Sequence, residues 1–171
     1  TWEKGYLTNV GFDLGLFNRR LDVIVDCWWR KSFDLIATLK TSGVGGILSK
    51  YANYADMDSR GVDVAIAFTP IRMKDWEWRS NFTMGYNTTK ITNSKNLPSI
   101  YNLTRATGGN LEGYPVNSLF SIKYMGLDHE TGVPYFINEN GDKSHNVYFQ
   151  STNVGHLKYE GTVDPKYTGG W

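Results

Sequence analysis

From Thr8 the chain alternates with a period of two: Thr8, Val10, Phe12, Leu14 and Leu16 fall on one side, and Asn9, Gly11, Asp13 and Gly15 on the other. Successive residues of a β-strand point to opposite faces, so this pattern predicts a strand with one apolar side. After a polar break at Asn18-Arg19-Arg20, of hairpin length, a second run sets Leu21, Val23, Val25, Cys27 and Trp29 against Asp22, Ile24, Asp26, Trp28 and Arg30. A third run sets Val62, Val64, Ile66 and Phe68 against Gly61, Asp63, Ala65 and Ala67, and is expected to stop at Thr69-Pro70, where proline removes a ladder donor. A turn through Arg72-Met73-Lys74-Asp75 leads to a fourth, with Trp76, Trp78, Phe82, Met84 and Tyr86 on the apolar side, broken once by Ser80. Composition agrees: 15% of residues are aromatic, 18 are glycine, and the one cysteine leaves no disulfide within the chain.

Each run covers about 8 to 12 residues, near the roughly 9 to 11 that a tilted strand needs to cross a bilayer. The connections alternate in length: short at Asn18 to Arg20, long from Lys31 to Arg60, short at Thr69 to Asp75 and long from Thr88 onward. Brief turns at one end and long loops at the other characterise an outer-membrane barrel. A soluble antiparallel sandwich also alternates apolar-in with polar-out, and remains the competing architecture. Two features weigh against it. The polar sides carry mainly Gly, Ala, Asn, Asp and Thr, whereas a solvent-facing strand usually carries more Lys, Glu and Arg. Trp76 and Trp78 open one end of a strand and Tyr86 lies at the other, as interfacial aromatic girdles require.

Beyond Thr89 the long alternating runs cease. Gly108-Gly109-Asn110, Glu112-Gly113-Tyr114-Pro115 and Asp128 to Gly132 divide the chain into turns, and Tyr135 to Ile137 before Asn138-Glu139-Asn140-Gly141-Asp142 predicts a short strand and a turn. The chain therefore divides into residues 1–89, with four long strands, and a loop-rich region of small hairpins at 90–171. No stretch approaches the roughly 18 consecutive apolar residues of a membrane-spanning helix, and the start has no charged-then-apolar leader. A formal net charge of +1 gives no electrostatic footing for a nucleic-acid partner.

No constellation for catalysis emerges. Cys27 sits mid-strand beside Trp28 and Trp29 with no histidine nearby in sequence, which fits a buried or lipid-facing thiol better than a nucleophile. His129, His145 and His156 lack the close spacing of zinc ligands. Asp128-His129-Glu130 and Asn138 to Asp142 carry oxygen ligands but not the spacing of a calcium loop, and read as turn chemistry. Asp128, Glu130 and Glu139 could supply a carboxylate pair for glycoside hydrolysis, though nothing in the sequence sets a separation between them. The sequons at Asn81, Asn87 and Asn102 are discounted. Neither a metal nor a cofactor is called for, and no enzyme is indicated. Binding is the better candidate: Tyr51, Asn53, Tyr54 and Asp56 in the first long loop, and Tyr101, Asn102, Arg105 and Tyr114 in the second, offer the aromatic faces, amides and charges that suit a sugar or peptide.

Several segments resemble, in order, the late barrel region of SusC-like TonB-dependent outer-membrane transporters. They are Gly11 to Leu21, Trp29 to Ile36, Asn53 to Met57 with Ser59 to Asp63, Trp76 to Phe82, Gly113 to Phe120, Gly126 to Pro134 and Asp164 to Trp171. The resemblance implies an all-β fold of antiparallel strands forming part of a large transmembrane β-barrel of about 22 strands, with a plug domain elsewhere and a further strand near Trp171. Four long strands cannot close a membrane barrel, which needs roughly 8, so a fragment is expected. The implied role is import of oligosaccharides or peptides across the bacterial outer membrane, with outer-membrane lipid around the wall, a SusD-like surface lipoprotein at the outer mouth and TonB acting through the absent plug. The alternative is a soluble all-β carbohydrate- or protein-binding module, in which the same apolar faces form a sandwich core.

Overall fold

A computed structural model describes residues 2–40, 46 and 49–171; of 37–40 and 49–54 the backbone alone is described. Four long strands, β1 (Lys4–Leu16), β2 (Leu21–Lys40), β3 (Ser49–Arg72) and β4 (Glu77–Ser94), are followed by a four-residue helix α1 (Ile100–Leu103). Short strands complete the chain: β5 (Ser118–Ser121), β6 (Tyr124–Leu127), β7 (Pro134–Ile137), β8 (Lys143–Ser144), β9 (Lys158–Thr162) and β10 (Tyr167–Gly170). The long strands and β10 form one antiparallel sheet in the order β1-β2-β3-β4-β10, open at its β1 and β10 edges.

The expected hairpins form where the sequence places them. Between β1 and β2, Phe17, Asn18 and Arg19 all take left-handed backbone (φ 54°, 55° and 58°), and the Arg20 N–H donates to the carbonyls of Leu16 and Phe17 at 3.1 and 3.2 Å. Between β3 and β4 the Met73 N–H donates to the Trp76 carbonyl at 2.8 Å, and Arg72 and Glu77 close the turn with an ion pair at 3.4 Å.

The strands are longer than the alternation predicts, at 13, 20, 24 and 18 residues for β1 to β4. Bulges hide the extra length from a period-two reading, because one inserted residue inverts the parity of everything beyond it. In β2 the register shifts between Ser32 and Leu35 and again at Ile36, with Asp34 left-handed (φ 56°). In β3 it shifts between Phe68 and Ile71, so Thr69-Pro70 is a bulge and not the strand end that the missing proline donor predicts. Much of the expected long loop from Lys31 to Arg60 is therefore paired strand: Tyr51 lies opposite Thr38 and Asn53 opposite Ile36.

Residues beyond β4 form a crown of small antiparallel sheets: β6-β7-β8 are consecutive short hairpins, and β5 pairs with β9 across the interval that contains them. The crown grows from the edge of the long sheet. Ile91 N–H donates to the Tyr114 carbonyl at 3.0 Å, Val116 N–H to Thr89 at 3.3 Å and Asn87 N–H to Lys166 at 3.0 Å, so loop backbone continues the ladder above β10. The buried hydrophobic side chains of the described residues, Ile91, Ile100, Leu103 and Phe120, are the end of β4 and the crown.

Candidate functional site

Register puts the apolar side chains of the long sheet into continuous rows. Val10, Cys27, Val62 and Tyr86 share one, Phe12, Val25, Val64 and Met84 the next, and Leu14, Val23, Ile66 and Phe82 a third. The Tyr86 ring meets Tyr167 of β10, centroids 5.0 Å apart. No second sheet covers these rows among the described residues: Phe12 is 60% exposed, Phe68 47% and Phe82 44%. A Leu or Phe side chain left in water forgoes at most roughly 1.5–3 kcal/mol. Phe12, Leu14, Phe68 and Phe82 are each about half exposed, so together they forgo roughly 3–6 kcal/mol, a sizeable share of the about 5–15 kcal/mol that holds a whole domain together. The face needs an apolar neighbour, which the sandwich reading expected from within the chain and the described residues do not supply.

The opposite face is lined by small and polar groups in matching rows. Asn9, Trp28, Gly61 and Asn87 form one, Gly11, Asp26, Asp63, Gly85 and Thr168 the next, and Asp13, Ile24, Ala65 and Thr83 a third. Large and small residues alternate across it. The Trp28 indole closely approaches Gly61, where a Cβ would meet the ring at 2.5 Å, and its Nε1–H donates to Asp63 Oδ2 at 3.1 Å. Asp26 leans over Gly11, and Asp63 sits beside Gly85 and Thr168. Asp26 and Asp63 are direct cross-strand partners, an arrangement that repels unless the charges are otherwise satisfied. The indole donor serves one of them. Asp26 and Asp63, with Thr83, Gly85, Thr168 and Gly170, border a concavity of about 460 Å³. The sequence marks Asn9, Asp26, Asp63 and Asn81 as polar-side residues, but not Trp28 as a donor to Asp63, because an indole in an alternating strand reads equally well as core.

The eight binding candidates are not brought together as one site. Tyr51, Asn53 and Tyr54 are on β3 and not in a loop, and their side chains lie outside the described residues. Asp56 is also on β3, where it pins the β2 bulge: its carboxylate accepts the Asp34 N–H at 3.0 Å and the Asn93 amide at 3.2 Å. Tyr114 belongs to the crown's packing, its ring 5.1 Å from Phe120 and 5.3 Å from Tyr159. Tyr101 and Asn102 lie on α1, and the Arg105 guanidinium sits 5.7 Å above the exposed Tyr101 ring, so this pair keeps an outward aromatic face.

The acidic turns of the crown hold structure. Asp128 accepts from the Tyr135 hydroxyl at 2.7 Å and from the Glu130 and Thr131 N–H groups at 2.8 and 3.1 Å. These donors, the Tyr135 hydroxyl foremost, hold its carboxyl far below the usual range, and the same bond pushes the Tyr135 hydroxyl up. His145 stacks on the Tyr135 ring at 3.9 Å with Nε2 3.7 Å from Asp128, and Lys143 lies 4.1 Å from the ring centroid. Asn138 accepts the N–H groups of Asn140 and Asp142 in an Asx turn. Glu139 accepts the Tyr148 N–H, which lowers its carboxyl pKa. Among the described residues no three His, Cys, Asp or Glu side chains gather as a metal site.

A two-faced antiparallel sheet, open at both edges and bare on its apolar side, is the architecture of a stretch of membrane β-barrel wall. No family model matches the chain. In sequence it is 30% identical over 128 residues to TonB-dependent receptor P39 of Formosa agariphila, an alignment covering 74% of this chain and 12% of the relative. It is 29% identical over 92 residues to the TonB-dependent receptor SusC of Bacteroides thetaiotaomicron, covering 53% of this chain and 9% of that one. In structure it superposes on the RagAB peptide transporter with a TM-score of 0.73 and 28% identity, over 98% of this chain and 18% of that one. The chain is thus similar, in sequence and fold, to a segment of the SusC-like TonB-dependent receptors, and its open sheet corresponds to part of their barrel.

Proposed function

We propose that the chain is a stretch of the wall of a larger outer-membrane nutrient importer, with its apolar face against lipid, its polar face toward the lumen and its crown at the outer mouth. The observation that carries this is the bare apolar face itself, which ends where a bilayer would end. On β3 the apolar series runs from Val62 to Ile71. An apolar band about 25 Å tall, crossed by strands tilted about 40°, takes about ten residues. The remainder of β3, from Ser49 to Arg60, then projects past the membrane as a rim on the same side as the crown.

The substrate class is oligosaccharide or peptide, with a SusD-like lipoprotein closing the mouth and TonB acting through a plug outside this segment. The names of the relatives support this reading: SusC is a TonB-dependent receptor and RagAB is a peptide transporter. The exposed Tyr101 face with Arg105 and the Trp28–Asp63 row are the surfaces that would meet a solute at the mouth and in the lumen. A wall of this kind needs no catalytic group.

Orientation is tested with single cysteines in a Cys27→Ala background of the full-length protein. Ser144→Cys should react with a membrane-impermeant maleimide on intact cells, and Lys74→Cys only after the outer membrane is permeabilised. The reverse pattern, or equal labelling of both, contradicts the proposal. Competition between peptide and oligosaccharide pools for uptake then assigns the substrate class.

A further inference from the structure

The apolar face ends abruptly in charge, at the same height on three strands. Along β3 the series Phe68, Ile66, Val64, Val62 gives way to Arg60 and Asp58; on β2 it passes from Trp29 to Lys31, and on β4 from Tyr86 through Thr88 to Lys90. Register joins these changes into two adjacent rows. Arg60 lies between Trp29 and Thr88, and Asp58 lies between Lys31 and Lys90. Three cations against one carboxylate leave two positive charges in excess. Lys31, Arg60 and Lys90 are all exposed, and none of them is in an ion pair among the described residues. Asp58, Arg60, Thr88, Lys90 and Pro115 border a concavity of about 430 Å³ on this outer side.

We propose that this patch is a docking surface for the phosphate-bearing headgroup of an anionic lipid in the surrounding outer leaflet. The inference rests on the orientation proposed above. A solute in the lumen cannot reach the patch, because cross-strand partners share a face and this face continues directly from the hydrocarbon-contacting rows. A lipid is held at the right height by construction: its chains lie along Val62, Val64 and Met84 while its headgroup meets the row above Trp29, an aromatic at the girdle position. The Arg60 fork matches phosphate oxygens bidentately, and Lys31 and Lys90, exposed in the adjacent row, have stems long enough to bring their ammonium groups to the same phosphate. Asp58, centred between the two lysines in the outer row, offsets their mutual repulsion and leaves the phosphate to Arg60 in the row beneath.

The full-length protein in detergent is titrated with phosphorylated lipid A and with the same lipid A dephosphorylated, and bound lipid is counted by native mass spectrometry. The phosphorylated lipid should bind more tightly by about tenfold or more, and the triple variant Lys31→Gln, Arg60→Gln, Lys90→Gln should lose that preference while still binding the dephosphorylated form as wild type does. Inorganic phosphate at millimolar concentration should not displace the lipid. Equal binding of the two lipids, an unchanged preference in the triple variant, or displacement by free phosphate each overturns the inference. The maleimide pattern at Ser144→Cys separates the two failures: outside labelling with no lipid preference sinks only the docking surface, whereas absent outside labelling sinks the orientation on which it rests.

Discussion

The long sheet and the crown solve the same problem, hiding apolar surface, by opposite means. Most backbone partners of β2 to β4 are supplied by neighbouring strands, yet the side chains of Phe12, Phe68 and Phe82 stay exposed among the described residues. The crown has short ladders but encloses its own small core of Ile100, Leu103 and Phe120, tied by side chains that satisfy loop backbone. Ser118, fully buried, donates to the Pro115 carbonyl at 2.6 Å; Thr162 donates to the Val116 carbonyl at 2.8 Å; and the Asn110 side-chain oxygen accepts the Asn117 N–H at 3.0 Å. One region takes its apolar solvent from outside the chain, and the other makes its own. Substitutions should therefore act through different environments in the two.

The largest effect is expected in the crown. Leu103 is completely buried, and Leu103→Ala should cost about 2–5 kcal/mol through lost burial and a cavity. Hydrogen exchange should show faster opening confined to residues 95–166, with β1 to β4 unchanged; uniform destabilisation of both regions would erase the distinction. On the sheet, Val64→Arg should cost about 2–4 kcal/mol at mid-height of the apolar face and lower the amount of heat-modifiable, membrane-inserted protein. Its cross-face neighbour variant, Ala65→Arg, should insert near normally.

A smaller loss, about 1–3 kcal/mol, is expected for Gly61→Val, whose side chain would meet the Trp28 ring and the Tyr86 carbonyl. Trp28→Ala should restore only part of it in the double variant, since the Tyr86 backbone carbonyl, 2.7 Å from the added Cβ, stays in place. The mildest perturbation is pH. Because the folded Asp128 carboxyl lies below its unfolded value of roughly 3.9, its contribution is complete above that value and disappears as pH falls through the folded pKa. The Asp128 carboxyl resonance should titrate below roughly 3.9, and the Glu130 and Thr131 amides should lose protection only in strong acid. Titration at or above the ordinary value would remove this link between the turn and the crown.

The sequence made the sheet legible wherever alternation was unbroken. Val10 with Phe12, Val23 with Val25, and Val62 to Phe68 lie on the face their parity predicts, and both hairpin turns fall where polar breaks place them. It was misleading wherever a bulge intervened. The inserted residues at Asp34 and Thr69-Pro70 turned real strand into apparent loop or terminus, so Tyr51, Asn53, Tyr54 and Asp56 were placed on a loop that is strand. The crown's core was illegible for a different reason: Tyr114, Phe120 and Tyr159 meet through packing that joins distant parts of the chain, which no local period records. Tyr114, with its aromatic ring beside a glycine and a proline, has the composition of a binding loop and the position of a core residue. Its role is set by neighbours that periodicity cannot supply.

The phase of solvent contact along β3 tests the central claim most directly. With nitroxide side chains placed singly from Val62 to Ala67 in the membrane-embedded full-length protein, oxygen accessibility should peak at 62, 64 and 66, and accessibility to a water-soluble nickel chelate at 63, 65 and 67. An inverted phase would put the apolar rows in the lumen, and no alternation at all would mean that this sheet does not divide lipid from water.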